Sequence, residues 1–243
     1  MVKARNLLAA VAVKNNGDWN KEYLCIKNKE MLTDEEIEKV SHLADQVVTI
    51  LDEDYPMTWK SSVKPPLILF YKGGERSILD EMNWFSPQKI LMSSVSVLDD
   101  GKDPQTKKIV DDILEHDGFI AIPELDSGNI VLKNKTQSLT LSEYPSGAYA
   151  NSKEQRLRVI QISVGLCGKL FVGINEDSST VGIAVRSAFD NGRDVYVVPT
   201  SLGTAYENNK FLREGANIAL DWRDVMPEED DDSCYTKKGG EAK

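Results

Sequence analysis

A chain of 243 residues with 41% hydrophobic side chains can bury one sizeable core, whereas two full domains would be cramped. Its net charge of −10 weighs against a broad nucleic-acid surface, because affinity for phosphates comes largely from Lys and Arg displacing counterions; a local basic pocket is still allowed. The opening MVKARNLLAAVAVKNN has too short an apolar run for a signal peptide or a membrane span, so the expectation is a soluble, intracellular (cytoplasmic) protein with no membrane partner.

In chain order, residues 3–13 read as a short helix. Leu32–Asp54 reads as a longer one, with Thr33 as N-cap, Glu36 completing a capping box, and apolar residues at Ile37, Val40, Leu43, Val47 and Leu51 at helical spacing. Tyr55-Pro56 and Pro65-Pro66 punctuate the next stretch, and Leu67–Tyr71 forms a strand ended by Gly73-Gly74. From Lys89 onward strand and helix alternate. Strands are expected over Lys89–Asp99, Phe119–Glu124, NIVLKN, SLTLSEYP, Lys169–Asn175, Arg193–Thr200 and Asn217–Trp222. Helices are expected over Pro104–Gly118, Ser152–Gly168, Ser179–Gly192 and Asn208–Ala216. This alternation predicts an α/β fold, a doubly wound, mainly parallel sheet with helices on both faces, whose ligands sit at the carboxyl ends of the strands. The expected organisation is an N-terminal helical addition over residues 1–54, the α/β domain over 55–226 and an acidic tail over 227–243.

Cys25, Cys167 and Cys234 are an odd set without CxxC spacing, which argues for reduced thiols rather than a disulfide framework or a zinc site. His42 and His116 are the only histidines, leaving little material for a metal centre or a Ser-His-Asp triad, and no cofactor is implied. The tail carries PEEDDD (Pro227 to Asp232), a like-charge block that cannot bury apolar surface; it reads as a disordered solvating segment, or as an acidic mimic of DNA that shields a basic groove.

Three stretches, in order along the chain, resemble the DprA/Smf family of bacterial DNA-processing proteins. The first is DYPMTWKSSVKPPLILFYKGG (Asp54 to Gly74). The second is LSEYPSG (Leu141 to Gly147) with RLRVI (Arg156 to Ile160), similar to the family's Ser-Glu-Tyr-Pro run and its Arg-Asn-Arg-Ile-Ile. The third and most specific is SSTVGIAVRSAFDNGRDVYVVPT followed by NNKFLREGA. The resemblance implies a Rossmann-like core that binds single-stranded DNA or a nucleotide, with a RecA-type recombinase as a possible partner and a homodimer as a possible assembly. It also has departures. SSVSVLDDGKDP (Ser93 to Pro104) and IPELDSGNIVL (Ile122 to Leu132) stand where the family has glycine-rich phosphate loops, Leu157 replaces the Asn between the two arginines, and Gly173-Ile174 stands where an acid usually ends the strand.

What remains for binding is a small set of residues. Arg156 and Arg158 open a helix, and guanidinium forks match phosphate oxygens; the competing reading is that they are surface charges or pair with Glu143 or Glu154. Ser178, Ser179 and Thr180 could cap the next helix while leaving N–H groups for a phosphate. Asn209 matches a family Asn and could equally be a helix cap, and Ser142 with Glu143 would face the same rim. PTSLGTAYE (Pro199 to Glu207) has the spacing of the LOG-type phosphoribohydrolase motif, with Glu207 as its catalytic acid, but Thr200 and Ser201 replace the glycines. Three functions therefore stand open: a DprA-like binder without a catalytic centre, an interaction protein that kept the scaffold and lost the pocket, and a LOG-like hydrolase.

Overall fold

The computed structural model describes residues 2–53, 55–73, 79, 94–99, 102–116, 118–134, 138–148, 152–174, 178–201 and 208–226. Helix α1 (Val2–Lys14), anticipated from sequence, stops at Asn16 and Gly17, whose φ values of 52° and 71° lie in the left-handed region. Asp18 then caps α2 (Trp19–Lys27), its carboxylate accepting from the backbone N–H of Asn20 and Lys21. The Thr33–Glu36 capping box forms as read, but α3 (Asp34–Glu38) lasts little more than a turn. A 3-10 segment (Ser41–Gln46) and strand β1 (Val47–Thr49) follow, so the helix expected over Leu32–Asp54 is corrected to three short elements. The apolar spacing reported burial rather than helix: Ile37, Val40, Leu43 and Val47 all pack with Ala9, Ala10 and Ala12 of α1. The β-branched run Val47-Val48-Thr49 pairs instead with β2 (Ile68–Lys72). Asp52 fixes the corner, accepting from Thr49 N–H (2.8 Å) and from Arg5 Nε of α1 (2.8 Å).

The rest of the chain supplies α4 (Met57–Lys60), β3 (Ser94–Leu98), α5 (Pro104–Glu115), β4 (Phe119–Glu124), β5 (Asn129–Lys133), β6 (Ser138–Ser142) and α6 (Lys153–Leu166). After these come β7 (Lys169–Val172), α7 (Ser178–Asp190), β8 (Asp194–Val197), α8 (Asn208–Arg213), β9 (Asn217–Ile218) and α9 (Trp222–Val225). Of the strand expected over Lys89–Asp99, residues 89–93 lie outside the described ones. The last expected strand shortens to Asn217–Ile218, because Asp221 caps α9.

All these strands form one sheet in the order β1-β2-β6-β5-β4-β3-β7-β8-β9. Pairing is parallel from β4 through β3, β7 and β8 to β9, where helices make the crossovers, and antiparallel from β4 through β5, β6 and β2 to β1. The α/β reading holds, with the parallel run in the half that carries the expected ligand position. Side chains alternate across it. Leu170, Val172, Val195 and Val197 meet Ile160 and Val164 of α6 and Val181, Ala184 and Val185 of α7 on one face. Val95, Val97, Ile120 and Phe171 meet Ile109 and Ile113 of α5 and Val225 of α9 on the other. The buried Lys169 Nζ donates to the Val225 carbonyl, tying α9 to β7.

Candidate functional site

In a doubly wound sheet the ligand crevice opens where chain direction reverses, at the carboxyl ends of the strands. Here that point lies between β3 and β7: from β3 the chain winds through α5 to β4, and from β7 through α7 to β8. The described part of this crevice is filled by the chain itself. A Cβ on Gly173 would stand 2.7 Å from Asp99 Oδ1 and would collide with Thr106 Cγ2, so the strand end where the family carries an acid has room for glycine alone. Thr106 is fixed by its N-cap, Asp103, which accepts from Thr106 N (2.7 Å) and Oγ1 (2.8 Å).

The neighbouring strand ends are held by two asparagines. Buried Asn208 donates from Nδ2 to the carbonyls of Gly173 (3.1 Å) and Val198 (2.8 Å), joining the exits of β7 and β8. The sequence reading passed over it. Asn209 accepts from Thr200 N–H (3.1 Å) and donates to Thr200 O (2.6 Å), so this candidate binder holds the loop after β8. Ser178, Ser179 and Thr180 form the first turn of α7. Glu207, on which the hydrolase reading depends, lies outside the described residues, as do the acidic tail and Cys234.

Helix α6 begins with a reciprocal capping box between Ser152 and Gln155. Its two arginines part company. Arg158 presents a bidentate fork to Glu143, Nε to Oε2 and Nη2 to Oε1 at 2.7 Å each, and its Nη1 donates to Lys64 O at 2.8 Å. Three of the five N–H groups of a guanidinium are thus committed inside the protein. The Glu143 side chain is 0% exposed and that of Arg158 only 12%, so this is an enclosed pair. Ser142 is equally occupied, accepting from Tyr144 N–H and donating to Tyr144 O, both at 3.0 Å. Arg156 is different. It is half-buried one turn before Ile160, which packs with Leu98, Val172 and Val181, and its guanidinium has no hydrogen bond or ion pair among the described residues.

The pair is roofed by α2. Trp19 Nε1 donates to Pro65 O (2.7 Å), and its ring lies 5.8 Å from the Arg158 guanidinium and 5.3 Å from Lys64 Nζ. Gly17 lies so close to Glu143 and Tyr144 that a Cβ would meet the Glu143 carbonyl at 2.8 Å, and its φ of 71° excludes most side chains besides. Glu22, 1% exposed, has no hydrogen-bond partner among the described residues for either carboxylate oxygen. Burial, with the Glu143 carboxylate beside it, pushes Glu22 up to about 8, while Arg158 pulls the other way. Burial likewise pushes the Tyr55 hydroxyl, which donates to Pro66 O at 2.6 Å, far above its ordinary range. The Cys167 thiol, enclosed in the core, is pushed up to about 12 and is unreactive at neutral pH. A sequence signal for α2 exists: Asn16-Gly17 as a helix stop and Asp18 as the cap of WNKEYLCIK.

No family model matches the chain, and no curated protein matches it. Solved structures do. The X-ray structure of DNA processing protein A (DprA) from Streptococcus pneumoniae superposes with a TM-score of 0.55 at 22% identity, covering 91% of this chain and 95% of that one. DNA processing protein A from Helicobacter pylori, studied for its single-stranded DNA binding mode, superposes with a TM-score of 0.53 at 14% identity, covering 74% of this chain and 94% of that one. The chain therefore has the DprA fold, in agreement with the likeness read from its three segments.

Proposed function

We propose that this chain is a DprA-like protein that binds single-stranded DNA, in DNA processing, at the rim formed by the carboxyl ends of β3, β7 and β8. The observation that carries the reading is the match to the DprA fold over 91% of the chain. The Helicobacter pylori protein with this fold binds single-stranded DNA. Arg156 is the residue best suited to a phosphate, being a guanidinium unpaired among the described residues in the first turns of α6, where backbone N–H groups and the helix dipole favour an anion. Arg158 contributes by position, since its fork holds Glu143 and the Lys64 carbonyl in place. A nucleotide as ligand, a RecA-type partner and a homodimer are finer parts of the same proposal.

Anisotropy titrations of a labelled oligothymidylate test it. Binding should weaken as salt rises, and each phosphate contact removed should lower the slope of log K against log[salt] by about 0.7. A second reading, an interaction protein without a nucleic-acid pocket, is favoured by the filled crevice at Gly173 and the internally paired Arg158. It is the reading to adopt if no oligonucleotide binds at low salt.

A further inference from the structure

The helical layer over α6 and α7 is cut by a groove of about 730 Å³, within the range of about 300–1,000 Å³ usual for ligand pockets. One wall is the Trp59–Pro66 segment and the other is α7 with α8; Gln161 and Ile162 of α6 lie between them. Helix α7 turns Gly182, Arg186 and Phe189 toward it, spaced four and three residues apart and so on one helix face.

Gly182 is the informative residue. A glycine inside a helix costs about 1 kcal/mol relative to alanine, and no described atom stands within 4 Å of where its Cβ would be. Packing among the described residues therefore gives no reason for it, whereas the close approach of another molecule would. Beside it, exposed Arg186 has no hydrogen bond or ion pair among the described residues. Phe189 is 38% exposed and Val63, across the groove, 81%. Lys64 and Lys210 add positive charge; Asp190 and Glu214 oppose it, and Arg158 is offset by Glu143. Cations remain in excess, in a chain whose net charge is −10.

We infer that this groove holds a second stretch of single-stranded nucleic acid, with phosphates on Arg186 and Lys64 and bases against Phe189 and Val63. A cationic track with apolar stacking surfaces is how single strands are held without sequence readout. The inference rests on the reading above and extends it from a rim to a path, so a longer strand binds more tightly than one that fills the rim alone.

The test compares oligothymidylates of about 6 nucleotides, within the usual site sizes, and about 20, beyond them, on the full chain. Gly182→Leu should leave thermal stability unchanged or higher, because the site is open and leucine is the better helix former. It should weaken the longer strand about tenfold, the lower part of what one lost stack costs, and leave the shorter unchanged. Arg186→Ala should lower the salt slope of the longer strand by about 0.7. Arg156→Ala should weaken both. If the parent binds neither strand, the proposed function falls and the groove with it. If the parent binds both but the groove variants match it, the groove inference alone falls. It falls equally if Gly182→Leu changes only the oligomeric state in gel filtration, which would make the groove a contact between copies.

Discussion

The Glu143 carboxylate is fully enclosed, and Arg158 meets both of its oxygens. Removing one member of such a pair leaves an uncompensated buried charge, a cost of about 3–5 kcal/mol. Arg158→Ala is therefore expected to lower the free energy of unfolding measured in urea by that amount, and Arg158→Lys should recover little of it, since an ammonium cannot make the fork. Any effect of Arg158→Ala on DNA binding must be judged against this loss. Glu22 makes a separate prediction. Its folded value of about 8 lies above the ordinary 4.5, so between those limits the folded state holds a proton that the unfolded state has released. Stability should accordingly fall as pH rises from about 4.5 to about 8, by at most about 1.4 kcal/mol per pH unit, and level off above. Urea midpoints at pH values across that window should show the slope, and Glu22→Gln should flatten it. A slope unchanged in Glu22→Gln would show that another group carries it.

At the scale of elements, capping chemistry and the strand–helix alternation were legible in the sequence, whereas element type over Leu32–Asp54 was not. Thr33 with Glu36 forms the capping box read from the sequence, while Asp103 before Pro104 and Ser152 with Gln155, which were not read as caps, cap the helices expected to begin there. Over residues 37–47 the apolar spacing was real, but burial at helical intervals is also met by a 3-10 turn and a strand packed under the same helix. The roof over Arg158 was missed for a related reason. Helix α2 exposes Tyr23, Leu24 and Ile26 and buries Glu22, so its pattern does not read as amphipathic. Of the candidate site, the family motifs named residues along the strand ends. Motifs name residue types, however, and do not say which polar groups will satisfy one another; Arg158, Ser142 and Asn209 are engaged with their own chain. Asn208 offers the element-scale test. Asn208→Ala would strand the carbonyls of Gly173 and Val198, and a loss of about 1–3 kcal/mol is expected in thermal or urea unfolding.

For the whole molecule, the sheet divides the work. Its antiparallel half is locked by α1 through the Arg5–Asp52 pair at 2.8 Å and by the Tyr55–Trp59 core, while the parallel half ends in the rim that carries Arg156. A chain with a net charge of −10 should bind nucleic acid weakly and with a shallow salt dependence, unlike proteins that lay a broad basic face on DNA. Among the described residues no helix is long and apolar enough to cross a membrane. The most direct test is the affinity of the full chain for an oligothymidylate across about 50 to 200 mM salt, with Arg156→Ala alongside. Binding that weakens with salt, and a variant that is weaker with its slope lowered by about 0.7, is the expected result. Absence of binding at the lowest salt, or an Arg156→Ala variant indistinguishable from the parent, would contradict single-stranded DNA recognition at this rim.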